Sequence, residues 1–149
     1  ALGWEGPTTP PVAVPWSRME IRVALLGLAA LVSSAGAQTT VMVGQSISAA
    51  VTAASAGDTL HLASGTHTSC DITALGGTKN VTIIGLGAAV IDCQDQTSHF
   101  VAETGAFLRL ENMHLTKGSA IDGGAISVSG AGTRVQLVGV TVSASAATG

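Results

Sequence analysis

Aromatic side chains and charges are scarce in this chain of 149 residues. It has no tyrosine; aromatic residues make up 3% and charged residues 10% of it, and six lysines and arginines stand against nine acidic residues. So little basic charge argues against a nucleic-acid partner. The apolar content of 46% excludes a disordered chain, and the low charge excludes a charged coiled coil. The length predicts one small domain.

Long hydrophobic runs are missing as well. The apolar run at residues 23–32 follows a single arginine and precedes a small-residue triplet that ends at Ala37, the order found in a secretory signal peptide. It is too short to cross a bilayer as a helix, and a buried core helix is the alternative. We therefore predict a signal peptide over residues 19–37 and an upstream leader or gene-model artefact over residues 1–18. The mature chain, residues 38–149, is expected outside the cell or on its surface, without a transmembrane helix.

Cysteine is limited to two residues, Cys70 and Cys93, both in the predicted mature chain. In an exported protein an even pair suggests a disulfide, which would add about 3 kcal/mol of stability by closing a loop of this size. Two free buried thiols are the alternative interpretation. The chain has no CxxC pair and no Cys/His cluster with the spacing of a zinc site.

An internal repeat organises the mature chain. Shifting the sequence against itself places Val81, Leu108 and Val135, which are equally spaced, in one column, and apolar residues alternate with polar ones around each of them. Alternation of this kind is typical of strands, and a fixed period of about 27 residues is typical of stacked repeats. The pattern predicts an all-β parallel solenoid with one repeat per coil.

A second column of the repeat contains Gly85, Asn112 and Gly139. Glycine and asparagine accept the left-handed backbone conformation at the least steric cost, so we predict a sharp bend at each of these positions. The same alignment pairs Leu86 with Met113 in the core.

The start of the solenoid needs a cap. Between residues 44 and 54, Ile47, Ala50, Val51 and Ala54 recur at helical spacing, which predicts a short amphipathic helix over the first coil.

This helix, I-x-x-A-V-x-x-A, is followed by A-G-D-T-L, by a strand ending in S-G-T and later by V-T-I-I-G. The pattern resembles the start of a right-handed parallel β-helix of the pectate-lyase-like superfamily, and the resemblance covers residues 47–149. Residues 118–126 are also similar to the GGA-I repeats of polymorphic outer-membrane proteins and autotransporter-type adhesins. Only one copy is present, and Val142 and Ser145 stand where those repeats usually have phenylalanine and asparagine.

The superfamily resemblance implies that any catalysis would use one exposed sheet, with aspartates that hold calcium or with paired carboxylates. Asp95 and Asp122 are one full repeat apart, so the repeat predicts that they stack, with Asp92 as a third oxygen donor for calcium. Loop aspartates that accept hydrogen bonds from turn amides are the alternative. No catalytic motif of the galacturonan hydrolases or lyases is present, so we assign no catalytic residue.

Two other polar residues carry expectations. His99 falls in the column of Ile126 and is expected to be partly buried and hydrogen-bonded. Asn80 begins the triplet Asn-Val-Thr, which is a glycosylation site only if the source is a eukaryote.

Two functions follow from these patterns. The favoured one is a secreted or cell-surface β-helix that acts as a non-catalytic binding, adhesion or structural module for a carbohydrate or a cell-surface protein. The alternative is the N-terminal part of a polysaccharide lyase or glycoside hydrolase whose catalytic coils lie beyond Gly149. We expect further coils after Gly149 in either case, because no terminal cap is visible.

Overall fold

A computed structural model describes residues 36–70, 73–77 and 79–148. The leader at residues 1–18 and the predicted signal peptide, apart from Gly36 and Ala37, lie outside the described residues. The described chain is almost entirely β-structure, with one short helix. In chain order the elements are β1 Gln38–Val41, α1 Ile47–Ala53, β2 Asp58–Leu62, β3 Gly65–His67, β4 Thr73–Leu75, β5 Asn80–Asp92, β6 Phe100–Ala102, β7 Phe107–Thr116, β8 Ser119–Ala120, β9 Ile126–Val128, β10 Arg134–Val138, β11 Thr141–Ser143 and β12 Ala146–Ala147.

The described strands pair in parallel and form three sheets. The largest has the order β1-β2-β5-β7-β10, with β3 paired to β5 and β11 paired to β7; the others are β4-β6-β9 and β8-β12. In the second sheet Thr73 pairs with Phe100, which in turn pairs with Ile126, so each strand lies one coil after its neighbour. The chain therefore winds as a right-handed parallel β-helix, and the predicted fold is confirmed.

The core consists of apolar ladders along the solenoid axis. Val81 pairs with Leu108 and Ile83 with Leu110, as the sequence repeat predicts, and all four are fully buried. Stacked aliphatic side chains of this kind remove apolar surface from water, and each Å² that is buried stabilises the fold by about 25 cal/mol. The ladder continues to Leu137 in the last described coil, where the side chain is 47% exposed.

The predicted capping helix is confirmed as α1. The hydroxyl of Ser46 accepts a hydrogen bond from the amide of Ala49 at 3.1 Å and satisfies one of the unpaired donors of the first turn. Ile47 and Val51 point into the core and are buried. At the other end, the ammonium of Lys79 donates to the carbonyl of Val51 at 2.6 Å and to that of Thr52 at 2.8 Å. The next coil thus fastens the C-terminal end of the cap.

The corner between the two halves of β5 departs from the predicted repeat. Ile84 pairs with Glu111, one full repeat later, but Ala89 pairs with Met113, three positions short of a repeat. Residues 85–88 therefore lie opposite the single residue Asn112. The predicted pairing of Leu86 with Met113 is wrong, because this insertion turns Leu86 outward, where it is 42% exposed.

One of the three predicted bends is also wrong. Asn112 and Gly139 have φ angles of 52° and 61°, in the left-handed region, whereas in the inserted corner that conformation occurs at Gly87, with φ 64°, and not at Gly85. Gly85 instead stays in the strand and is buried. A Cβ atom at Gly85 would collide with the carbonyl oxygen of Asn112 on the next coil. Glycine is needed at Gly85 for a close approach between coils and not for a bend.

Cys70 and Cys93 are joined by a disulfide whose Cα atoms lie 5.1 Å apart. The two residues follow β3 and β5, which are paired strands of successive coils. The bond therefore links neighbouring coils at the same corner of the solenoid.

Candidate functional site

A groove on the outer surface of β6 and β9 forms a concave site with a cavity volume of about 680 Å³. We call it the β6–β9 groove. Its residues come from the loop before β6, from β6 itself, from the segment around β8 and from β9. They are Gln96, Thr97, Ser98, Val101, Glu103, Ser119, Ala120, Ile121, Asp122, Ser127, Val128 and Ser129.

The alternation of inward and outward side chains along β6 determines which residues form the floor of the groove. Phe100 and Ala102 point inward and are buried, so Val101 between them points outward. Val101 pairs with Ser127 on β9, and these two side chains form neighbouring positions of the floor. Glu103 follows β6 with the same outward parity, and its amide donates to the carbonyl of Leu75 at 2.7 Å. The parallel sheet thus holds an apolar, a hydroxyl and a carboxylate side chain on one surface.

Hydrogen bonds between coils fix the loop before β6 and the segment around β8, which form the wall of the groove. The buried hydroxyl of Ser98 donates to the carbonyl of Gly123 at 2.5 Å, and the amide of Ser119 donates to the carbonyl of Thr97 at 3.1 Å. The hydroxyl oxygen of Thr97 is buried and has no partner among the described residues. The wall is therefore preorganised, and one polar group in it retains unused hydrogen-bonding capacity.

The charge of the groove is negative. Glu103 and Asp122 are exposed and contribute two carboxylates, and no lysine, arginine or histidine occurs among the lining residues. The ion pairs found in the described chain, Arg109 with Glu111 and Lys117 with Asp92, lie outside the groove.

The predicted stacking of Asp95 on Asp122 rests on a register that the structure does not have. The amide of Asp95 donates to the carbonyl of Lys117 at 2.7 Å, and Ser98 contacts Gly123. The inserted corner reduces the number of residues that separate paired positions on neighbouring coils here. Asp122 therefore lies level with the loop that precedes β6, past its predicted partner Asp95. In the part of the chain that the structure describes, no group of three or more His, Cys, Asp or Glu residues is arranged to hold a metal ion.

Asp92, the predicted third calcium donor, is already engaged. One carboxylate oxygen accepts from the amide of Gln94 at 2.9 Å and the other from the ammonium of Lys117 at 3.0 Å. The backbone hydrogen bond, followed by the one from Lys117, lowers the pKa of Asp92 below its ordinary value. These contacts fit an aspartate that closes a turn and pairs with a lysine of the next coil.

His99 is buried, at 3% exposure, and hydrogen-bonded as predicted. Its Nε2 lies 3.1 Å from the carbonyl oxygen of Ile91 and 2.9 Å from that of Thr116, so this nitrogen acts as the donor. The predicted column is displaced by one residue, because Phe100 and not His99 pairs with Ile126. His99 therefore ties coils together beneath the surface and does not line the groove.

The sequence did not single out the contact between His114 and Ser143. The Nε2 of His114 lies 2.7 Å from the hydroxyl of Ser143, which in turn donates to Thr116 at 3.3 Å. The sequence repeat could have found the site, since it pairs Thr116 with Ser143. A histidine and a serine at this distance form a catalytic pair only when a third group orients the ring, and no acidic side chain among the described residues hydrogen-bonds to it. The contact is a polar surface cluster.

Asn80 begins β5 and its side chain is exposed, so the predicted glycosylation site is sterically accessible. Within the ranges that the structure covers, no helix has both the length and the apolar character to cross a bilayer.

Comparison with known proteins yields a match of fold. No protein-family model and no curated protein matches the chain. Among solved structures the chain is similar to a mutant of the PL6 family alginate lyase AlyGC, with a TM-score of 0.55 and 18% sequence identity over 71% of this chain and 16% of that one. At this identity the likeness shows the β-helix fold alone. The similarity of residues 118–126 to autotransporter-type repeats finds no support in these comparisons.

Proposed function

We propose that this chain is part of an exported β-helix protein that binds a carbohydrate in the β6–β9 groove and does not cleave it. The observation that carries the proposal is the lining of the groove. Hydroxyl, amide and carboxylate side chains line the groove together with apolar side chains that include Val101 and Ile121. Ligand sites generally combine apolar surface with a few placed polar groups, and a sugar presents hydroxyl groups to such a lining.

The rigidity of the floor supports binding. Val101 and Ser127 are held by a parallel ladder, and Ser98 and Ser119 are held by hydrogen bonds between coils. A preorganised site loses less conformational entropy when a ligand binds than a mobile loop does.

The lack of a cationic side chain in the lining favours binding without β-elimination. β-Elimination requires a group that removes a proton from the sugar; Glu103 and Asp122 are the only bases among the lining residues, and no lysine, arginine or histidine accompanies them. The second candidate function, a segment of a polysaccharide lyase or glycoside hydrolase, is favoured by the fold of the alginate lyase to which the chain is similar and by the two carboxylates, Glu103 and Asp122, in one groove. The chain spans 16% of that lyase structure, so the activity of such an enzyme would involve coils outside this segment.

Binding is tested by affinity electrophoresis in gels that contain polysaccharides. Ser127→Trp fills the floor of the groove, and Gln136→Trp places the same side chain on an exposed position of β10 in the neighbouring sheet. We expect the unmodified chain and the Gln136 variant to be retarded by a polysaccharide and the Ser127 variant to migrate freely, with circular dichroism showing equal β-content. Equal retardation of the two variants would contradict the proposed site.

Catalysis is tested on the same polysaccharides. We expect neither unsaturated ends, detected by ultraviolet absorbance, nor new reducing ends. Depolymerisation that is lost in a Glu103→Gln, Asp122→Asn double variant would favour the second candidate function.

Export is tested by N-terminal sequencing of secreted protein. The proposal requires cleavage after Ala37, so that the chain begins at Gln38, and replacement of Ala35 and Ala37 by large residues should block it. Secreted material that still begins at Met19 or Ala1 would refute the signal peptide.

A further inference from the structure

We propose that the ligand of the β6–β9 groove is a cationic amino-sugar glycan, one that presents protonated amines along its length. The inference rests on the proposed carbohydrate-binding function and adds the charge of the ligand. It assigns a class opposite in charge to the polyuronates.

The first observation is the charge inside the groove. Glu103 and Asp122 both line it and are both exposed, and every other lining residue is uncharged. They approach it from different elements, since Glu103 follows β6 and Asp122 follows β8. A ligand that lies in the groove therefore meets carboxylates from two segments of the chain, with hydroxyl groups and apolar side chains between them.

The second observation is where the cations lie. Lys79 donates to the end of α1, Arg109 pairs with Glu111 and Lys117 pairs with Asp92. Arg134 begins β10, in a different sheet from β6 and β9. These are the four lysines and arginines of residues 38–149, and none of them lines the groove. A polyanion would bring its carboxylates toward Glu103 and Asp122 without a compensating cation.

Electrostatics decides between the ligand classes. Like charges brought together at a binding surface are unfavourable, whereas complementary charges speed the encounter and select the partner. The net charge of the whole chain is −3, so the long-range field favours a cation as well. A neutral glycan would gain the hydroxyl contacts alone, and an amino-sugar glycan would gain those contacts and two charge pairs.

The hydroxyl groups of the groove provide the rest of the recognition. The exposed side chains of Gln96 and Ser129 line the groove and can exchange hydrogen bonds with sugar hydroxyls. Sugar hydroxyls are common to all glycans, so these contacts support affinity and the carboxylates determine the charge preference.

The experiment compares three oligosaccharides of equal length by isothermal titration calorimetry at mildly acidic pH. The probes are a glucosamine oligomer, its fully N-acetylated counterpart and an oligouronate. Exposed charge pairs contribute modestly, so each carboxylate should change Kd about threefold and the two together about tenfold. We expect the glucosamine oligomer to bind about tenfold more tightly than the acetylated one, with a preference that weakens as salt is added, and the oligouronate to bind least.

Variants locate the effect. Glu103→Gln with Asp122→Asn should bring the affinity for the glucosamine oligomer down to that for the acetylated one and leave the acetylated one unchanged. Asp95→Asn removes an exposed carboxylate outside the groove and should leave the preference intact. A preference that survives the double variant would overturn the inference.

The outcomes separate this inference from the function on which it rests. Equal binding of the glucosamine and acetylated oligomers, or tighter binding of the oligouronate, would overturn the cationic ligand and leave carbohydrate binding in place. Absence of binding by all three probes would overturn the proposed function and this inference together.

Discussion

Truncation of Leu110 provides a test of the ladder with a control in the same column. Leu110 on β7 is fully buried between Ile83 on the coil before it and Leu137 on the coil after it. Leu137 is the same residue type at the same position of the next coil, but it is 47% exposed. Comparing Leu110→Ala with Leu137→Ala therefore isolates the effect of burial.

The expected magnitudes follow from that difference. Leu110→Ala removes about three buried carbon atoms, worth about 2.4 kcal/mol of transfer free energy, and leaves a cavity that raises the loss of unfolding free energy to about 3–5 kcal/mol. Leu137→Ala removes half-exposed carbon atoms and encloses no cavity, so its cost should be about 1 kcal/mol.

Urea denaturation followed by circular dichroism measures both values. The buried variant should shift the unfolding midpoint by at least twice as much as the exposed one, with similar slopes for the two transitions. Equal losses, or a greater loss for Leu137→Ala, would refute the inward orientation of the ladder and the exposure of the last described coil.

Three further predictions concern the turns and the links between coils. Gly139→Val should destabilise the chain by about 1 kcal/mol or more, because a β-branched residue is strained at φ 61°; Asn112→Gly should be nearly neutral, and thermal melting compares the two. Cys93→Ser breaks a bond that spans 23 residues and should cost about 3 kcal/mol in the urea assay, whereas a loss below about 1 kcal/mol would show that the link matters little. Lys117→Met should raise the pKa of Asp92 toward its ordinary value, as measured by carboxyl NMR. Because that pKa is depressed in the folded state, Asp92 stabilises the fold at pH values above its unfolded pKa of 3.8. This stabilisation is lost as the pH falls through the pKa of the folded state. An unchanged pKa of Asp92 in the Lys117 variant would refute the pairing.

The ladders and the cap could be predicted because burial leaves a strong pattern in sequence. Val81 and Leu108 occupy inward positions of alternating strands, and Ile47 and Val51 share one face of a helix. Alternating apolar residues fit a strand, and apolar residues three or four positions apart fit a helix. The periodicity is therefore sufficient to predict these elements.

The inserted corner could not be predicted in the same way. Gly85 fits both a left-handed bend and a close approach between strands, and the sequence does not distinguish these two uses of glycine. The small, apolar residues that follow it are equally compatible with a strand and with a loop. A repeat of fixed length takes no account of the insertion and therefore assigns Leu86 and Asp95 to the wrong neighbours.

The candidate groove was only partly visible in the sequence. Asp122 was singled out as a metal ligand, but its position beside the floor formed by Val101 depends on the pairing of β6 with β9, which is one position shorter than the repeat predicts. Glu103 carries no motif at all. Its place in the groove follows from the outward parity of a very short strand, which leaves little periodicity to detect.

The four-residue corner at residues 85–88 shows where this solenoid tolerates change in length. The ladders on both sides of it keep their pairing although one coil has three more residues there than the next. Loop closure becomes more costly only slowly as a loop lengthens, so the same corner should accept further residues without disturbing the core. During evolution such a corner could acquire new surface on an unchanged scaffold, and in protein engineering it offers a position at which a foreign peptide could be displayed.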